Sequence, residues 1–253
     1  FAWCDIIMIR KIALAIFRVG GTLVSVAPAI KRLKPFDEGR RAGPPGKGRE
    51  GMDSVRNYQR EMETEIQRLA GARPTLLLHS CCGPCSSAVL ERLQAHFRLT
   101  LFYYNPNIEP EEEYLHRLSE QKRLLSLLPF SVPLLECGWE HEKFSAFAQG
   151  MAGEPEGGAR CLRCFALRLS ETARAARENG FEYFTTTLSV SPHKNAEALN
   201  RIGEAAGKEW GVNYLHADFK KKNGYLRSLQ LSKEYGLYRQ DYCGCLYSKP
   251  EKA

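Results

Sequence analysis

TLLLHSCCGPCSSAVLERLQA, residues 75–95, reads as a strand, a loop and a helix in succession. Residues 75–79 are a short apolar run of the kind that a sheet covered on both faces buries. Residues 80–85 turn the chain, with Gly83 and Pro84 as punctuation, and a helix is predicted over 86–95. The same alternation continues along the chain. Further strands are predicted over 98–104 (RLTLFYY), 132–135, 183–187 and 212–216, and helices over 110–128, 140–149, 161–179, 195–210 and 226–235. Glu111, Glu112 and Glu113 suit a helix N-terminus, and 150–158 is a Gly-rich loop. Upstream, Asp53 is expected to cap a helix running toward Leu69, with Pro74 closing the connection. Five strand–helix units predict an α/β fold: a single Rossmann-like, mostly parallel sheet with helices on both faces. Ligands in such sheets bind beyond the carboxyl ends of the strands. The loops 80–85, 105–107 and 188–192 belong to that edge.

Composition narrows the class. The chain has 253 residues, of which 43% are hydrophobic and 26% charged, so a full core and a soluble body are expected. Nine cysteines, odd in number and clustered, do not resemble a secreted disulfide framework and favour metal or redox chemistry. The net charge of +7 is local: residues 1–51 hold ten Lys/Arg and four Asp/Glu, and the remainder is close to neutral. Overall charge is therefore poor evidence that the body binds nucleic acid. Within 1–51 the apolar stretch is broken by Arg10, Lys11 and Arg18, short of the ~18 clean residues of a membrane span. It carries no clear signal-peptide cleavage site. A basic membrane-surface helix is the sharper reading of this segment, and disordered or translated upstream sequence the plainer one. The expected organisation is an N-terminal extension over 1–51, dispensable for activity, and a catalytic domain over 52–253. A cytoplasmic protein with no membrane partner is expected.

The cysteines fall into three groups. Cys81, Cys82 and Cys85 lie between a strand and a helix N-terminus, which favours thiolates that bind metal or attack as nucleophiles. Cys161 and Cys164 open a helix and share a face. Their C-x-x-C spacing suits zinc, an iron–sulfur cluster or a redox pair. Cys243-Gly244-Cys245 can close only a small, strained disulfide ring, the labile kind found in redox sites; further metal ligation is the alternative. The polar run Arg239-Gln240-Asp241 suggests a flexible tail that carries this pair to the crevice. Cys4 and Cys137 have no partner in sequence. His79 either tunes the cysteines or is hydrogen-bonded structurally. Thr185, Thr186 and Thr187 either fill a strand or face a substrate. Tyr103 and Tyr104 read as core residues, with base stacking as the alternative. Lys220, Lys221 and Lys222 read as a solvated face, with phosphate contact as the alternative.

Five ordered blocks carry a resemblance to a known family: LLLHSCCGPCS (76–86), FYYNPNIEPEEEY (102–114), EPEGGARCLRC (154–164), FTTTLSVSPHKN (184–195) and LYRQDYCGC (237–245). With these the chain resembles the QueH-type epoxyqueuosine reductases of bacterial tRNA queuosine biosynthesis, from about residue 57 to 248. The resemblance implies a two-electron reduction of the epoxide of epoxyqueuosine at the tRNA wobble position, giving queuosine and water. It implies a 4Fe–4S cluster on Cys81, Cys82, Cys161 and Cys164, and a redox-active pair formed by Cys243 and Cys245. It also implies an additional mononuclear iron. Glu140 stands where the family often carries an aspartate, which makes it a candidate ligand of that second iron. The implied partners are tRNA with epoxyqueuosine in its anticodon loop and an unidentified electron donor. The implied fold resembles the nucleotide α-hydrolase-like sheets of ATP-dependent tRNA-modifying enzymes. Cysteines stand here in place of their phosphate loop, which argues against the alternative of an ATP-dependent tRNA thiolation enzyme. The other alternative is a non-catalytic zinc module that binds nucleic acid.

Overall fold

The computed structural model describes residues 56–249. Expectations about 1–51 and the capping role of Asp53 lie outside the described residues. The first described helix, α1 (Tyr58–Arg68), is capped instead by Asn57, whose side chain accepts from the Arg60 amide at 3.1 Å.

Five strands form one parallel sheet: β1 (Thr75–Ser80), β2 (Arg98–Tyr103), β3 (Leu134–Glu136), β4 (Tyr183–Thr186) and β5 (Asn213–Tyr214), in the order β3-β2-β1-β4-β5. Strand β1 is central. It pairs Leu77 with Thr100 on one side and with Phe184 on the other. Leu76, Leu77 and Leu78 are all fully buried, because in a strand of this kind both faces are covered. Successive side chains alternate between two cores. Leu76 and Leu78 pack with Met62 of α1 and with Val89, Leu90 and Leu93 of α2 (Gly83–Leu93). Leu77 packs on the opposite face against Leu167, Ala173 and Ala176 of α5 (Ala159–Glu178). Burial of each leucine contributes about 1.5–3 kcal/mol, so the two faces are both fixed by one tripeptide. The layered α/β fold expected from the strand–helix alternation is the fold observed.

The remaining helices are α3 (Glu111–Leu127), α4 (His141–Ala148), α6 (Ala196–Trp210) and α7 (Gly224–Glu234). Helix α6 begins where Asn195 caps it, its side chain accepting from the Ala198 amide. Two boundaries differ from expectation in ways that matter. Helix α2 starts at Gly83, not 86: Pro84 occupies the first turn, where its missing N–H costs no hydrogen bond. Cys82 thus becomes the N-cap and Cys85 a helical residue. Strand β4 ends at Thr186, whose hydroxyl accepts from Leu188 N and starts the 3₁₀ turn Thr187–Val190. Among the described residues no helix is long and apolar enough to cross a membrane.

Candidate functional site

The carboxyl ends of β1, β2 and β4 converge on the cysteines. After β1 the chain bends into α2, and this brings three sulfurs together: the Sγ atoms of Cys81, Cys82 and Cys85 all lie within 4.8 Å of one another. Cys81 and Cys82 are 3.8 Å apart, and Thr187 Oγ1 lies 3.7 Å from Cys81 Sγ. Hydrogen bonds from the Cys82 and Cys85 thiols, helped by the nearby Arg168 guanidinium, pull Cys81 well below an ordinary thiol. Bonded to that developing thiolate and buried, Cys82 is pushed up to about 12 and Cys85 is pushed up as well. Among the three, Cys81 is therefore the thiol most readily ionised.

Cys161 and Cys164 lie on the first turns of α5 and are not members of this trio. Cys161 packs against the same apolar cluster as Cys81, built on Phe165, Leu169 and Leu188. Its sulfur accepts from the Gly157 amide at 3.3 Å. Cys164 is buried beside Arg168 one turn along the helix, and burial raises its thiol to about 11. Arg168 itself is 1% exposed; its Nη2 donates to Asn105 Oδ1 at 2.5 Å. Its charge acts on Cys81, Cys164 and Cys243 together. The cysteines from three separated segments therefore share one buried cation. This donor set fits an iron–sulfur cluster: the thiols are numerous, one is lowered toward the thiolate, and a fixed positive charge would offset the thiolates.

The C-terminal pair completes the site. Cys243 lines a cavity of about 390 Å³ with Cys81, Cys85, Arg168 and Lys194. Cys245 lies behind it, 7% exposed, in the core that holds Cys164. The neighbouring Cys245 thiol, with the Lys194 and Arg168 charges, lowers Cys243 to about 5 against the opposing effect of burial, while Cys245 Sγ itself donates to Ser248 Oγ at 3.4 Å. Lys194 Nζ donates to Cys243 Sγ at 3.3 Å. Cys245 is correspondingly raised, first by its neighbour Cys243. The segment is tied down, contrary to the flexible tail expected. Arg117 holds the Cys243 carbonyl at 3.2 Å and the Glu109 amide holds the Gly244 carbonyl at 2.9 Å. Gly244 is at φ +115, where a Cβ would approach Ile108 and Arg117 to about 3 Å.

Other expected residues resolve as follows. Glu140 stands at the N-cap position of α4 without a side-chain capping bond and pairs with Lys143 at 2.7 Å; its charge bears on Tyr104 and Cys137 rather than on the trio. His79 is fully buried with Nε2 at 3.0 Å from the Tyr104 carbonyl and Nδ1 at 2.9 Å from Thr186 Oγ1. Burial and Arg168 lower it to about 3, so it is a neutral, structurally bonded ring. Thr185 donates to the Leu215 carbonyl, and Tyr103 is a core residue donating to the Tyr114 carbonyl. Lys220 and Lys222 pair with Asp218 and Glu63. A wider groove of about 1020 Å³ lies against Tyr183, Glu204 and Tyr214, with no cysteine in its lining. The sequence reading placed Cys85 in the metal-binding or nucleophilic trio but not among the implied cluster ligands, and it gave no role to Arg168 or Lys194. The available signal for Arg168 was its i, i+4 relation to Cys164, which puts both on one helix face.

The sequence that builds this site has relatives. The family model described as epoxyqueuosine reductase QueH matches residues 76–251. The epoxyqueuosine reductase QueH of Staphylococcus epidermidis is 41% identical over 200 residues, covering 76% of this chain and 84% of the relative. That of Streptococcus pyogenes is 39% identical, covering 76% and 78%. That of Thermotoga maritima is 36% identical, covering 70% and 92%. The matched stretch contains all eight cysteines of the site and its surroundings, from Cys81 to Cys245. By the family model and by these relatives, the chain belongs to the epoxyqueuosine reductase QueH family.

Proposed function

We propose that this protein reduces epoxyqueuosine to queuosine at the wobble position of tRNA, with Cys243 and Cys245 as the electron-donating pair. The observation that carries the reading is the asymmetry of that pair. Cys243 is a cavity-lining thiol lowered to about 5, and Cys245 is a protonated thiol buried behind it. A reactive thiolate with a resolving thiol at its back is the arrangement a dithiol reductant needs. Removal of an epoxide oxygen breaks two C–O bonds and forms a C=C bond. It consumes two electrons and two protons, and water leaves. Oxidation of the pair to a disulfide supplies the two electrons.

Cys81, Cys82, Cys161 and Cys164 are the residues that would hold a 4Fe–4S cluster, which would supply single-electron transfer. Arg168 stays charged beneath these thiols and compensates their negative charge. Glu140 is the candidate ligand for a mononuclear iron, and such binding would compete with its ion pair to Lys143. The substrate tRNA reaches the cavity from the sheet's carboxyl edge, and a separate electron donor restores the dithiol after each turnover. Action on tRNA agrees with a cytoplasmic location. The cysteine loop after β1 leaves no Gly-rich phosphate cradle, which disfavours an ATP-dependent reaction.

The test is direct. Anaerobically purified protein should be brown, contain iron and sulfide, and convert epoxyqueuosine in tRNA to queuosine, read by mass spectrometry of digested nucleosides. Colourless protein with stoichiometric zinc and no product would refute the reading.

A further inference from the structure

Lys194 differs from the other paired lysines of the protein. Lys122, Lys143, Lys208, Lys220 and Lys222 each meet a carboxylate. Among the described residues Lys194 meets none. It is half-buried, its ammonium 5.9 Å from the Phe165 ring centroid, and its hydrogen-bond acceptor is Cys243 Sγ at 3.3 Å. Arg168, which lines this cavity with Lys194 and Arg239, also has no carboxylate partner: it donates to Asn105 and to His79 Nε2. Glu156, Asp241 and Arg239 also line this half-open cavity, yet neither Lys194 nor Arg168 forms an ion pair with those carboxylates, and the group that Lys194 meets at hydrogen-bond distance is the Cys243 sulfur. The position of Lys194 is fixed as well. Its amide donates to the Ser191 carbonyl, and the next residue is Asn195, the N-cap of α6.

We propose that Lys194 is a catalytic residue of the redox site, whose ammonium holds Cys243 as the thiolate and releases a proton to the departing epoxide oxygen when the Cys243–Cys245 disulfide closes. The inference rests on the reaction proposed above. The step balances. A Cys243 thiolate, a Cys245 thiol, a Lys194 ammonium and the epoxide become a disulfide, a neutral amine, an alkene and water. The S–S bond forms, two C–O bonds break, and the thiols supply two electrons. One proton comes from Cys245 and one from Lys194. Closure of the disulfide removes the anion that Lys194 faced and leaves the ammonium beside Arg168, a like charge that favours loss of its proton. Re-reduction by the electron donor returns the two electrons and two protons.

The test uses the full, iron-loaded chain with Lys194→Arg and Lys194→Gln, iron content serving as the control for folding. In the absence of substrate, alkylation of Cys243 by iodoacetamide at pH 6, mapped by peptide mass spectrometry, reads the thiolate. Lys194→Gln should slow it by about tenfold, the effect at pH 6 of raising the thiol by roughly two pKa units from about 5, and Lys194→Arg should leave it within about twofold. Single-turnover queuosine formation reads the proton. It should fall by at least about tenfold in both variants, since a guanidinium keeps its proton. Wild-type alkylation and wild-type turnover in Lys194→Gln would overturn the proposal. Wild-type turnover in Lys194→Arg would overturn its proton-delivery step. If the wild type forms no queuosine while Lys194→Gln slows alkylation, the thiolate pairing stands and the reaction assigned to the chain is what fails.

Discussion

Arg117 on α3 donates from Nη1 to the carbonyl of Cys243 at 3.2 Å, while its Nε pairs with Glu113 at 2.6 Å. The guanidinium is 2% exposed and lies 4.9 Å from the Tyr242 ring centroid. A buried arginine of this kind fixes a backbone, because a planar fork bonded on two sides has little freedom to move. The C-terminal dithiol is thus held from α3, an element more than a hundred residues earlier in sequence. Arg117→Met should keep the cysteine-bound metal but lower queuosine formation, with a stability loss of about 1–3 kcal/mol from the lost bonds to charged groups. Thermal unfolding and turnover, measured together, check it. Undiminished turnover would mean that the carbonyl hold is incidental.

Gly244 tests the same segment from inside. A Cβ there would lie 2.9 Å from Ile108 Cγ1 and 3.0 Å from Arg117 Nη1, at a φ of +115 that side chains rarely adopt. Gly244→Ala should cost roughly 1–3 kcal/mol locally. The expected result is displacement of the Cys243–Cys245 pair, seen as a shifted dithiol midpoint potential in redox titration. An unchanged potential would show that the turn tolerates a methyl group.

The cysteine assignments separate cleanly by substitution. Serine at Cys81, Cys82, Cys161 or Cys164 should reduce iron content and abolish turnover, while Cys85→Ser should retain the visible absorption of the cluster. The second outcome is the sharper one, since Cys85 shares the trio with Cys81 and Cys82. Loss of iron in Cys85→Ser with full iron in Cys161→Ser would transfer the metal site to the trio.

Acid stability has an identifiable contributor away from the site. Glu204 is lowered to about 2, first by its bond to Lys208 and then by Arg56 and His216, against partial burial. A carboxylate lowered on folding stabilises the native state fully above its unfolded value, ordinarily about 4.5, and that contribution is lost as pH falls toward the folded value. Glu204→Gln should therefore flatten the loss of stability between about pH 4.5 and 2. Since a third of the side chain faces solvent, 0.5 M salt should reduce the difference between wild type and variant. Chemical denaturation at stepped pH reads it.

Much of the architecture was legible in the sequence because β1 and its neighbours are short apolar runs separated by helices with clear caps. The acidic start of α3 illustrates this, whereas the capping role of Asn195 emerges from the structure. The start of α2 was misread because Gly83 and Pro84 signal a turn in most contexts, and here they form the first turn of a helix. Candidate thiols were legible as clusters. Their cations were not: Arg168 and Lys194 look like ordinary surface charges in one dimension, and only the convergence of α5 with the turn before α6 shows that sulfurs are their partners. The anchoring of the C-terminal segment was hidden for the same reason, since Arg117 and Cys243 are distant in sequence.

The central claim is that Cys243 and Cys245 supply the electrons for epoxide reduction. Anaerobic protein, reduced and freed of excess reductant, should be mixed with tRNA bearing epoxyqueuosine and quenched by alkylation. Nucleoside mass spectrometry then counts queuosine, and peptide mass spectrometry counts free thiols at the two positions. The account predicts that queuosine appears as the two thiols vanish into a disulfide. It also predicts that Cys243→Ala/Cys245→Ala retains its metal and does not sustain turnover. Queuosine formed with both thiols still free, or sustained turnover by the double variant, would contradict it.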